Sequence, residues 1–548
     1  MAVVSNRKYH RLFIQLTALI ILAVIILYLL KHNDTSDKLL ETSIRPHSPS
    51  KNVGLISDLH TITCAILPVL GEICMNHYST EDMVNKDLFQ NKHKHKNSYK
   101  KWIQFGLSKY IIIKRVNDID DTILDNIHST IPTNKEYKKL TLLDQTLYLT
   151  YKEDTSKNVV EGGIKNIDVL FGKTCVEVRD DYSILKDVII NKNNDGDKVE
   201  MYLSLQKSKS DQINNPATIK NKDIVPVDVE KQIDNYKIMQ IADLHYAIGP
   251  GVCRDPYPQE KYGEVCEADV ITDKFISKLL DNENPDFVVF TGDQIMGGLC
   301  TQDSETCLLK VVKPLVDRKI KYTFIWGNHD DEGSLSREQI SELAATLPYS
   351  YYSHQKVGKN PDKFGYGNAI IKFVDSQNED NVLMKFFLLD SHKYSPEPKV
   401  YPGYDWIKEE QWEYLTKVND KSDKSLNAAF YHIPLPEYRS SSLQIANGQL
   451  KEGITAPKYD YGTVQTFFTE NDIVFGSCGH DHVNDFCGTI DGKWVCYGGA
   501  SGMGGYAGYG GFERRVRFFD INLDTKEIQT YKRVMGDENN KLDLFTLN

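Results

Sequence analysis

Phe324-Ile325-Trp326-Gly327-Asn328-His329-Asp330 is the stretch on which the fold turns. It begins as an apolar, strand-like run, stops at a glycine, and then presents an amide, an imidazole and a carboxylate in succession. Asn328 offers a neutral carbonyl oxygen to a hard cation, and His329 holds or releases a proton near neutral pH. One short turn can therefore supply a metal ligand and a general acid. Gly, Asn and Asp are also ordinary turn residues, so the reading depends on what flanks them.

From residue 235 onward, apolar strand patterns alternate with helical ones, which predicts an α/β layer structure. Strands are expected at 237–242, 287–290, 386–389, 428–431 and 473–475, and amphipathic helices at 269–280 and 304–318. The strand ends carry Asp243-x-His245, Gly292-Asp293, Asp390, His432 and Gly479-His480-x-His482. Ligands of α/β sheets gather outside the carboxyl ends of the strands. Two divalent ions ~3.5–4 Å apart can clamp the attacking and leaving oxygens of a phosphoryl displacement, and they need carboxylate, imidazole and a shared ligand. The inventory meets that need.

These blocks, D-x-H, G-D, G-N-H-D, H and G-H-x-H in order across 238–520, resemble the calcineurin-like metallophosphoesterase superfamily. The flanking text, with the Cys253 to Cys266 insertion, Tyr431-His432-Ile433-Pro434 and the glycine-rich 497–512 segment, looks like the purple-acid-phosphatase-28/29-like branch. Within that branch it is most similar to the fungal dosage-dependent cell-cycle regulator phosphatases. The resemblance implies a four-layer β-sandwich flanked by helices and a centre of two divalent ions, Mn, Fe or Zn. Asp243, His245 and His482 would hold one ion, and Asn328, His432 and His480 the other, with Asp293 bridging. A hydroxide between the ions would attack a phosphomonoester, His329 would protonate the leaving oxygen, and Asp330 would orient His329 or a neighbouring ligand. The fungal likeness makes a phosphoprotein the expected substrate. The same motifs serve phosphodiesterases and pyrophosphatases, and a membrane-tethered inactive scaffold is the rival outside enzymes. Purple acid phosphatases carry a tyrosine three residues after the bridging aspartate. Met296 stands there in this chain, so no phenolate-to-ferric colour is expected.

With 548 residues, 41% of them hydrophobic and 10% aromatic, the chain can bury more than one core. Its formal net charge of -11 provides no basic surplus for nucleic acid, and positive charge for a phosphate must be concentrated locally. Cys253 with Cys266, Cys300 with Cys307, and Cys487 with Cys496 are spaced so that each pair could close a short loop or remain as buried thiols.

Residues 12–30 contain no charge and are about as long as a helix needs to cross a bilayer core of ~30 Å. The run ends in Tyr28-Leu29-Leu30-Lys31-His32 and not in the small residues of a cleavage site, and so reads as a retained signal-anchor. Arg7, Lys8 and Arg11 before it, against Lys31 after it, predict a single-pass membrane protein with a cytoplasmic N-terminus. The run 91–101 reads as a solvated basic loop. The expected organisation is a basic tail (1–11), a transmembrane signal-anchor (12–30), a polar stalk (31–100), a small β-rich N-terminal accessory domain (101–208), a linker (209–234) and the metallophosphoesterase domain (235–535).

Overall fold

The computed structural model describes residues 54–547 except for 68–70, 73–82, 85, 89–105, 117–121, 144, 154–161, 186–188, 193–197, 209–222, 231–234, 355–360, 460–461 and 510. The N-terminal part is built from antiparallel strands. β1 (Ile56–Leu67) pairs with β2 (Gly106–Arg115). β3 (Thr122–His128), β4 (Lys138–Leu142) and β5 (Gln145–Glu153) form one small sheet, and β6 (Ile164–Phe171) pairs with β7 (Lys198–Lys207).

The C-terminal part holds two large sheets. The first is eight-stranded, in the order β8-β12-β13-β14-β16-β18-β17-β15. Its strands are β8 (Ile224–Val229), β12 (Ala369–Asp375), β13 (Asn378–Leu388), β14 (Leu426–Phe430), β15 (Gln444–Asn447), β16 (Ile473–Cys478), β17 (Cys487–Ile490) and β18 (Lys493–Tyr497). The second is six-stranded, in the order β11-β10-β9-β19-β20-β21. It comprises β9 (Asn235–Ile241), β10 (Phe287–Thr291), β11 (Lys321–Ile325), β19 (Arg515–Asn522), β20 (Ile528–Val534) and β21 (Asp537–Leu547).

Strand periodicity divides the side chains between layers. In β10, Phe287 and Val289 join Phe373, Phe386, Phe430 and Phe475 in the core between the sheets. Val288 and Phe290 face the other way, onto α1 (Ala268–Glu283) and α2 (Ser304–Asp317), where Phe275, Leu279, Leu308 and Val312 cover them. In β14, Ala428 and Phe430 point inward while Ala429 packs outward near Trp412 and Leu415 of α4 (Glu409–Val418). A shorter helix, α3 (Arg337–Ala344), starts from a capping box made by Ser336 and Gln339. The result is helix, sheet, sheet, helix.

Several expectations are corrected. The segment 31–100 contains β1, so it is not a stalk throughout; polar and apolar residues mix along that strand and hide its period. The 209–234 linker contains β8, whose Val225, Val227 and Val229 are buried while Pro226 and Asp228 are exposed. Pro226 is tolerated because β8 is an edge strand, where a missing N–H breaks no ladder. β4 and β5 form a hairpin turning at Leu143 (φ 57°). β21 carries the second sheet past 535.

The membrane reading is also corrected. Among the described residues no helix is long and apolar enough to cross a membrane. α1 is 16 residues long, about 24 Å at 1.5 Å per residue, short of a ~30 Å core. The 12–30 run that suggested the transmembrane signal-anchor lies outside the described residues, as does the basic loop 91–101.

The two parts meet over buried charge. Lys86 Nζ lies 2.9 Å from Asp168, 3.2 Å from Asp303 and 3.0 Å from Glu305, and Arg179 reaches Asp168 at 2.8 Å. Glu305 lies in the first turn of α2, and Asp303 immediately precedes that helix. All three proposed cysteine pairs are disulfides.

Phe386 is fully buried and meets Phe373 and Phe430 edge-on at 4.6 and 5.1 Å. Phe386→Ala is expected to cost about 3–5 kcal/mol. The check is the shift in chemical denaturation followed by tryptophan fluorescence, and a loss below ~1 kcal/mol would contradict close packing between the sheets.

Candidate metal centre

The candidate ligands all leave the carboxyl ends of parallel strands. Asp243 and His245 follow β9, Asp293 follows β10 and Asn328 follows β11, on the six-stranded sheet. His432 follows β14, and His480 and His482 follow β16, on the eight-stranded sheet. The two sheets therefore contribute from opposite sides to one cleft. Asp390, at the end of β13, does not join them; it pairs with Arg337 at 2.6 Å.

Turning each strand end toward the cleft strains the backbone. Asp243 (φ 55°), His245 (54°), Asp293 (52°) and His480 (77°) all occupy the left-handed region, which side-chain-bearing residues seldom enter. Two glycines make the crowding possible. A Cβ on Gly327 would lie 2.1 Å from Asp293 Oδ1, and one on Gly292 (φ +93°) would lie 2.1 Å from His432 Nδ1.

Two groups of ligand atoms converge, Asp243, His245, Asp293 and His482 in one and Asp293, His432 and His480 in the other, and all of these residues are buried. Asp293 belongs to both. Its Oδ2 lies 3.8 Å from His245 Nε2 and 3.4 Å from His432 Nε2, and its Oδ1 accepts the backbone N–H of His329 at 2.9 Å. Asn328 Oδ1 is 3.2 Å from His432 Nε2.

The donor set fits cations. His432 Nδ1 is 2.9 Å from the Thr291 carbonyl and His482 Nδ1 is 2.6 Å from the Tyr506 carbonyl. With those nitrogens carrying the proton, each Nε2 presents a lone pair inward. His482 Nε2 then faces His245 Nε2 at 3.1 Å, and His432 Nε2 faces His480 Nδ1 at 3.3 Å. Ligands about 2.0–2.1 Å from one ion sit roughly 3.0–3.4 Å apart, which is the spacing of these two imidazole pairs. Burial pulls the pKa values of His245 and His480 well below the ordinary imidazole range, so both are neutral, the ligating form. Burial raises the Asp293 carboxyl, but the adjacent His432, whose own pKa is raised to about 9, outweighs it and draws Asp293 well below the carboxylate range; an ion at His432 Nε2 would take the place of that proton.

His329 lines the same cleft. Burial disfavours its charged form, yet the hydrogen bond to Glu332 and the Asp293 charge prevail and raise its pKa to about 9. Asp330 does not touch that ring. Its Oδ2 accepts the backbone N–H groups of Gly327 (2.7 Å) and Asp293 (3.0 Å), and its Oδ1 accepts that of Ile295 (3.0 Å). Of the two roles expected of Asp330, orienting His329 is thus not what the geometry provides, and its contact is instead with the backbone of the neighbouring candidate ligand Asp293.

Arg254, Tyr404, Thr455 and Tyr506 also line the cleft and were not foreseen. Tyr404 meets His480 edge-on at 4.5 Å, and Tyr506 stacks on His482 at 4.0 Å. Tyr506 lies in the glycine-rich 497–512 segment. Arg514, Arg515 and Arg517 are structural: Arg514 donates to the carbonyls of Gly502 and Gly505, and Arg515 and Arg517 bind Asp485.

The family model described as calcineurin-like phosphoesterase matches residues 236–484. Over 394 residues the chain is 39% identical to Phosphatase DCR2 of Saccharomyces cerevisiae, covering 68% of this chain and 64% of that one. Over 325 residues it is 34% identical to "Probable inactive purple acid phosphatase 29" of Arabidopsis thaliana, covering 55% of this chain and 82% of that protein. The chain belongs to the calcineurin-like phosphoesterase family. It spans just under two thirds of the yeast relative's length. A dimetal phosphatase from Danio rerio is 16% identical with a TM-score of 0.39, covering 57% of this chain and 98% of that one. For this phosphoesterase the buried Asp/His cluster can hold a dinuclear metal centre, and the donors do not select between Mn, Fe and Zn.

Replacing Asp330 by alanine would leave three buried N–H groups without their acceptor. We expect Asp330→Ala to lose about 3 kcal/mol or more of stability, measured by denaturant midpoint, and an unchanged midpoint would show that water replaces the carboxylate.

Proposed function

We propose that the chain is a metal-dependent phosphomonoesterase acting on phosphorylated substrates, phosphoproteins among them. What carries the reading is the sharing of Asp293 between two buried ligand groups beside a cleft that His329 also lines. Asp243, His245 and His482 would hold one ion, Asn328, His432 and His480 the other, and Asp293 both. A pair of divalent cations, when bound, supplies an acidified water as nucleophile and neutralises phosphoryl charge. His329 donates a proton to the departing oxygen. Thr291 and Tyr506 carbonyls fix the His432 and His482 rings, and Asp330 fixes the turns that carry Asp293 and Asn328.

Arg254 supplies the local positive charge that an acidic protein needs at a phosphate site. Among the described residues it makes no ion pair, and its loop is held by the Cys253–Cys266 disulfide, by its own N–H on the Met503 carbonyl (2.8 Å) and by Arg514 on its carbonyl (2.7 Å). Its guanidinium is assigned to the phosphoryl oxygens. The plant relative's name includes "inactive", but every ligand position of the motif series is filled here, which favours turnover. Met296 lines the cleft where purple acid phosphatases carry tyrosine.

After metal stripping and reloading with Mn, Zn or Fe one at a time, the protein is expected to hydrolyse p-nitrophenyl phosphate and a phosphopeptide. Asp293→Asn should lose at least ~100-fold in kcat/KM. Turnover of diesters alone would replace this reading with a phosphodiesterase, and no turnover in a folded, metal-loaded protein would favour a scaffold. Arg254→Ala should raise KM about tenfold with kcat little changed, the worth of one charge-assisted hydrogen bond.

A further inference from the structure

Three acidic residues, Asp330, Asp331 and Glu332, follow His329 in the chain. Asp330 is committed to three backbone N–H groups. Asp331 is committed to Lys393, with Arg337 at 3.5 Å. Glu332 reaches the imidazole, with Oε2 2.7 Å from His329 Nδ1. Its own N–H donates to the His329 carbonyl at 3.2 Å and closes the turn. Gly297 pins that turn from below, since a Cβ there would lie 2.2 Å from the His329 carbonyl oxygen and 2.8 Å from Glu332 Cβ.

We infer that Glu332 is the positioning residue of His329, fixing the ring so that Nδ1 carries its proton toward the carboxylate and Nε2 is the nitrogen presented to the substrate. The assignment rests on the phosphomonoesterase reading. As the P–O bond breaks, its electron pair goes to the leaving oxygen, which takes the proton from His329 Nε2. The N–H electron pair stays on the ring. His329 ends neutral with its Nδ1–H still on Glu332, and Glu332 remains a carboxylate throughout. Without that carboxylate the ring can rotate, and proton delivery to the leaving oxygen loses its alignment. The ring is only part-buried, its side chain 29% exposed, so packing alone does not set its angle.

A good leaving group departs without a proton and a poor one does not, so the two separate positioning of the acid from a general loss of structure. The test uses the full-length metal-loaded protein, with p-nitrophenyl phosphate against a phosphoserine peptide. Glu332→Gln should lower kcat on the peptide by ~10–100-fold and on p-nitrophenyl phosphate by less than ~3-fold, with KM near wild type. Metal content and thermal midpoint should be unchanged. In a His329→Ala background the same substitution should add nothing. Equal losses on both substrates, or a full loss in the His329→Ala background, would overturn the role of Glu332 while leaving the phosphomonoesterase reading intact. A wild-type protein inactive on both substrates would overturn that reading, and this assignment with it.

Discussion

The carboxylate of Asp293 is the constraint on which the rest of the centre depends. One oxygen faces imidazoles from both sheets, His245 and His432, and the other holds the backbone of His329. A side chain can reach all three only if the turns after β9, β10, β11 and β14 crowd into one place. The left-handed backbone at Asp243, His245, Asp293 and His480 follows from that crowding. Conformations of this kind cost of order 1–3 kcal/mol each and persist where the surroundings over-determine them. Here the surroundings are two packed sheets below and the Asp330 carboxylate beside.

The sequence made the site legible because its chemistry is punctuated: each strand ends on a glycine or a short polar block, and those blocks need no register to be recognised. The same is true of the strand-helix rhythm between 235 and 325. Elements failed to show where burial and polarity do not alternate cleanly. β1 mixes Asp58, His60, Thr61 and Thr63 with its apolar residues, and β8 carries a proline that only an edge position excuses. Tyr404 and Arg254 were invisible for a different reason. They reach the cleft from loops remote in sequence, by way of tertiary packing and a disulfide, and no local spacing announces that. The expectation that Asp330 orients His329 missed Glu332, because nothing in the sequence shows that the Asp330 carboxylate is taken by three backbone donors and that Glu332 reaches the ring.

The N-terminal strands are not a loosely hung appendage. Lys86 and Arg179 meet Asp168, Asp303 and Glu305 where α2 begins, and the Phe171 N–H donates to Thr306 Oγ1 at 3.1 Å in the same place. Burial raises the carboxyls of Asp303 and Glu305, the expected response of acids drawn out of water and only partly offset by Lys86. Removing one partner of such a cluster strands the others, so the contact is worth more as a fixed register between the two parts than as a sum of attractions.

That register bears on the centre through a short chain of contacts. Immediately before α2 lies the segment from Gly297 to Cys300, tied to the helix by the Cys300–Cys307 disulfide. Gly297 packs directly against the His329 carbonyl and Glu332, while Ser304 Oγ accepts from the Ser334 N–H at 2.9 Å. The start of α2 is therefore held on one side by the N-terminal strands and on the other by the turn that carries His329. Asp330 joins this turn to Asp293, and Asp293 faces His245 and His432. A catalytic site gains from groups that need not reorganise as charge develops, and these linked, buried and hydrogen-bonded turns meet that requirement with the backbone as much as with the side chains.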